Sequence, residues 1–80
     1  MNIQLIKGYF EPNDAIELLT HMIHVKIKYH ENKMNGMQNE KDLKDIDARI
    51  INLQKDLYEI KKYISSKKQL ISLHSIVGIE

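Results

Sequence analysis

Seven apolar residues recur at alternating steps of three and four along one stretch of the chain: Leu43, Ile46, Ile50, Leu53, Leu57, Ile60 and Ile64. A spacing averaging 3.5 residues holds one stripe on a constant side of an α-helix for about six turns. A stripe of that length has to lie against another helix. The chain is therefore committed to helix–helix packing before any other segment is considered.

The partner helix announces itself at Glu11-Pro12-Asn13-Asp14. Proline is tolerated in a first turn, and Asn13 or Asp14 can accept bonds from the free amides there and complement the positive end of the helix dipole. A helix is expected over about 12–33, ended by Met34-Asn35-Gly36-Met37-Gln38-Asn39, where Asn35 or Gly36 can take a left-handed conformation. Asn39 can cap the seam helix, expected over about 40–65 and closed by Ser65-Ser66-Lys67-Lys68. So short a turn makes the two helices antiparallel.

The two ends follow a different period. Ile71, Leu73, Val77 and Ile79 share one parity, with Ser72, His74 and Gly78 on the other, which is the pattern of a half-buried strand over about 70–79 interrupted only by Ile76. Ile3 and Leu5 give a weaker strand signal over about 2–7, which Gly8 and Pro12 are expected to terminate. The expected fold is mainly α: one domain, 1–80, an antiparallel helical hairpin with short N- and C-terminal strands in the order β-α-α-β. A lone two-stranded ribbon is marginal in water, so the strands should pair with a second copy or lie on the helices.

Composition narrows what this fold can be. A chain of 80 residues buries only about 60% of its unfolded surface, and with no cysteine it has no disulfide to compensate. Self-association is the available remedy, and the helices carry apolar surface for it. On a wheel, the first helix has an apolar arc of about 200°, from Val25 through Leu18, Tyr29, Met22, Ala15, Leu19 and Ile23 to Ile16 and Ile27, more than one partner can cover. The seam helix adds a shoulder of Ile51 and Tyr58. A homodimer forming a four-helix bundle buries both surpluses. The formal charge of +1, with signs interspersed, argues against a strong field for polyanions. Met1 to Phe10 does not read as a signal peptide, and no apolar run approaches a membrane span, so a cytoplasmic protein without membrane attachment is expected.

Gly8-x-Phe10, Asp14-Ala15, Leu19, Lys26-Ile27-x-Tyr29-His30, Arg49-Ile50-x-x-Leu53 and the tail Ile71-x-Leu73-x-Ser75-x-Val77-x-Ile79 together resemble a family of short uncharacterised bacterial proteins, which usually carries phenylalanine at the position of Tyr29. The resemblance spans nearly the whole chain. It implies the strand-helix-helix-strand order and supplies no activity.

Three constellations could carry chemistry. Lys26 and His30 lie one turn apart inside the apolar arc; a buried polar pair is expected there, with Lys26 snorkelling or meeting Asp47 or Asp56, and a ligand pocket is the sharper alternative. Glu17, His21 and His24 fall at metal-ligand steps of four and three, but on a polar face with no fourth donor, so neither metal nor cofactor is expected. Lys55, Lys61, Lys62, Lys67 and Lys68, interleaved with Tyr58 and Tyr63, form the one candidate nucleic-acid patch, although lysine near a helix C-terminus is favoured by the dipole alone. Asp42-Leu43-Lys44-Asp45-Ile46-Asp47 resembles the first helix of small helical chorismate mutases. That chemistry needs several cations converging on two carboxylates, and Arg49 is the only arginine. No enzymatic activity is expected. The reading that results is a homodimeric structural or protein-interaction module, with possible engagement of another protein and a nucleic-acid-binding accessory role as the alternative.

Overall fold

The computed structural model describes residues 1–80, with β1 (Asn2–Phe10), α1 (Pro12–Met34), α2 (Glu40–Ser65) and β2 (Ile71–Gly78) in chain order. This is the expected β-α-α-β hairpin, and its helix bounds fall within a residue of those read from the sequence.

The helix ends are built differently from expectation in two places. The N-cap of α1 is Glu11, which makes no side-chain capping bond, so neither Asn13 nor Asp14 caps the helix. Pro12 at the start removes one of the amides a cap would serve, and Asp14 remains in the first turn beside the positive end of the dipole. At the other end Asn35 stays right-handed at φ −63°, and Gly36 does not have a positive φ. The chain tightens instead, with Gly36 N–H donating to Lys33 O at 3.3 Å and Met37 N–H to Met34 O at 3.1 Å. Asn39 does cap α2, its side-chain oxygen accepting from the Lys41 amide at 2.8 Å.

β1 and β2 pair with each other, antiparallel, from Asn2↔Gly78 to Phe10↔Ile71. The strand does not stop at Gly8, contrary to the expectation from the sequence. Gly8 takes φ +155°, a conformation open to glycine, and the ladder runs through it to Phe10. A register shift between Gln4 and Ile6 leaves Leu5 as an extra residue opposite β2. This bulge switches the parity of β1: Ile3 shares a face with Val77, but beyond the bulge that face is continued by Ile6, Gly8 and Phe10, opposite Ser75, Leu73 and Ile71. Ile6 is buried, and Leu5, the expected inward residue, is exposed.

The buried set is small: Ile6, Ala15, Ile46, Ile50, Leu57 and Ile64, with His30 the only polar member. Four of the seven seam residues are in it, while Leu43, Leu53 and Ile60 are half-buried. No large side chain is fully enclosed. The reason is shape. The molecule is a slab of 47 × 32 × 14 Å with a radius of gyration of 15.2 Å. A globular chain of this length has a radius of gyration of about 12 Å. A globular protein of 9.4 kDa exposes about 5,000 Å². This chain exposes 6565 Å², an excess of about 1,500 Å².

Candidate interaction face

The unfilled side of the hairpin is a groove between α1 and α2. Beside the sheet it is apolar, lined by Leu19, Met22 and Ile23 of α1, Leu53, Ile60 and Ile64 of α2, and Ile71 and Leu73 of β2, with Glu59 at its rim. No residue of β1 lines it. Steps of three and four along α1 and the seam spacing of α2 put these residues on facing sides, and the alternation of β2 brings Ile71 and Leu73 to the same end.

Towards the interhelical turn the groove becomes polar. Lys26, His30, Lys33 and Arg49 line it together with Asp42, Asp45, Asn52 and Asp56. Three cations and three carboxylates balance, yet none is ion-paired: the chain's one salt bridge, Lys44 Nζ to Glu40 Oε1 at 3.9 Å, lies elsewhere on the solvated surface. Of the expected buried pair, only His30 is buried, at 8% exposure, whereas Lys26 is exposed, beside Asp56 and away from Asp47. His30 packs edge-on to the Tyr29 ring, with centroids 5.6 Å apart, and makes no hydrogen bond within the chain. Its ring nitrogens still reach the solvent of the groove, and the one enclosed side-chain polar atom without a hydrogen bond is Thr20 Oγ1 on α1.

Of the helix surplus expected from the sequence, the exposed part outside the apolar groove falls in two places, while Tyr63, Leu70 and, on the strands, Leu5, Tyr9 and Ile76 are exposed as well. Val25 and Tyr29 are exposed on the α1 flank beside the groove, with Lys33 Nζ 5.3 Å from the Tyr29 ring centroid. Ile51 and Tyr58, at 43% and 65% exposure, lie roughly 150° round α2 from the groove-lining positions, on the opposite side of the slab. Leu18 and Ile27 are half-buried. In the single chain Tyr58 is left largely uncovered.

The other sequence candidates do not converge. Lys55 and Lys62 point about the same way from α2 and Lys61 about 100° away, while Lys67 and Lys68 follow the helix. Lys67 is occupied over the Tyr63 ring, its Nζ 4.6 Å from the centroid. Glu17 and His21 share a shallow cleft with Asp14 and Leu18, but His24 is not part of it, and no three His, Asp or Glu side chains are grouped as an ion would require. No helix is long and apolar enough to cross a membrane. Asp56, one of the two acids expected near Lys26, lines the groove with it, whereas the groove acids Asp42 and Asp45 were missed as site residues; their only trace in the sequence is a position one helical step from the seam. Comparison with known protein families, curated proteins and solved structures gives no match.

Proposed function

We propose that the chain is a homodimeric structural or interaction module, in which a second copy covers the groove and four helices share one core. The observation that carries this reading is the excess of about 1,500 Å² over a globular chain of the same mass, against the roughly 800 Å² per partner that a stable interface buries. Charge supports a second copy as the occupant. A set of Lys26, Lys33 and Arg49 with Asp42, Asp45 and Asp56 is neutral and unpaired, and a two-fold axis brings such a set against its own complement.

Light scattering on size-exclusion fractions tests the reading. The wild-type chain is expected at twice its 9.4 kDa, and Met22→Glu, a half-buried groove position where both residues favour helix, at the monomer mass with its helix content kept. A folded wild-type monomer at about 50 µM, well above the Kd of an ordinary interface, would overturn it.

A further inference from the structure

We infer that β2 is the strand through which two copies join, its free edge pairing antiparallel with β2 of the second copy to give a four-stranded sheet ordered β1-β2-β2-β1. The inference rests on the homodimer reading and assigns its contact.

Met1 and Ile79 exchange both backbone bonds, Met1 N donating to Ile79 O at 2.7 Å and Ile79 N to Met1 O at 2.6 Å. In an antiparallel ladder such pairs alternate with non-bonded ones, so the odd positions of β2 bond to β1. Ser72, His74, Ile76 and Gly78 are left with N–H and C=O aimed at the open edge. Unpaired edges are normally blunted by charge, proline or a bulge. β1 has Lys7 and the bulge at Leu5; β2, Ile-Ser-Leu-His-Ser-Ile-Val-Gly, has no Lys, Arg, Asp, Glu or Pro and no interruption of its own. The less protected edge is also the one beside the apolar groove, since Ile71 and Leu73 line it and β1 does not. A strand added to β2 therefore finds both a row of backbone partners and an apolar trough for alternate side chains.

A second β2 satisfies both requirements. Centred on Ser75, the pairing sets Ser72 against Gly78 and His74 against Ile76 of the second copy, four residue pairs exchanging about eight backbone bonds. On the helix-facing side Leu73 meets Val77, and Ile71 meets Ile79. This accounts for the apolar parity at Val77 and Ile79, which a single chain leaves at 39% and 49% exposure.

Ile76→Pro discriminates. Its lost N–H faces the open edge and its side chain is already exposed, so the β1–β2 ladder keeps its bonds while the intermolecular ladder loses one donor per strand. Association is expected to weaken on the order of a hundredfold by sedimentation, from two lost bonds per dimer. In the wild-type dimer, hydrogen exchange at Ser72, His74, Ile76 and Gly78 should be slowed and should speed up on dilution; this readout decides the matter if the proline variant fails to fold. Ser75→Cys, the only thiol in the chain, should form an intermolecular disulfide across the axis under mild oxidation. A wild-type dimer whose four edge amides exchange freely and whose Ser75→Cys variant does not cross-link would overturn edge pairing alone. A folded wild-type monomer would overturn both edge pairing and the homodimer.

Discussion

Leu57→Ala probes the seam where it is most completely formed within one chain. Leu57 is 9% exposed and lies between Ile50 and Ile64 on the buried side of α2. The substitution removes about three carbons; at about 0.8 kcal/mol each and nine-tenths burial the transfer loss is about 2.2 kcal/mol. The cavity adds about 1 kcal/mol, and alanine's helix propensity returns about 0.2 kcal/mol. The net cost is about 3 kcal/mol, against the 3–5 kcal/mol or so that a core of this size supplies without reinforcement. Urea unfolding followed by circular dichroism, with a slope of about 1 kcal/mol per molar for so small a chain, should show the midpoint falling by about 3 M, or no folded baseline at low protein concentration. A fall of less than about 1 M would refute the assignment of Leu57 to the helix–helix seam.

Gly8→Ala should cost about 1–3 kcal/mol and lower the melting temperature by roughly 4–8 °C per kcal/mol, because φ +155° is a strained backbone for any residue with a Cβ while the nearest Phe10 carbon, at 3.8 Å, leaves the methyl ordinary contact. Asn39→Ala removes the acceptor for the Lys41 amide and should cost about 1 kcal/mol by chemical denaturation. Ile51→Ser, on the side of the slab away from the groove, should leave the dissociation constant within about twofold, a change under 0.5 kcal/mol. A large loss of association would move the interface to the Ile51–Tyr58 side.

The helices were legible because their causes are local. The 3.5-residue stripe, Pro12 and Asn39 each act within a turn or two, and the structure follows them closely. Parity in β2 was legible for the same reason. In β1 it was not, because the bulge at Leu5 is a property of the pair: it is set by which residues of β2 lie opposite, and a strand read alone shows only Ile3 and Leu5 in step. Gly8 and Gly36 illustrate the related ambiguity of glycine, whose freedom is compatible with a stop at both positions although neither is one; Gly8 uses a positive φ to extend a strand and Gly36 follows a tightened helix end. The polar end of the groove was half legible. Lys26 and His30 stood out for interrupting an apolar arc, but burial of one and exposure of the other depends on how the two helices are rotated against each other. The acids opposite them resemble any solvated helix face until the hairpin closes.

The most direct test of the central claim, that this slab becomes a closed core only with a second copy, is the urea midpoint of the wild-type chain at about 1 and about 100 µM. For a dimer that unfolds to two chains, mass action adds about 2.7 kcal/mol per dimer over that hundredfold range, and with a slope of about 2 kcal/mol per molar for the two chains together the midpoint moves up by about 1 M. Superimposable curves at the two concentrations, with a cooperative transition in both, would contradict it.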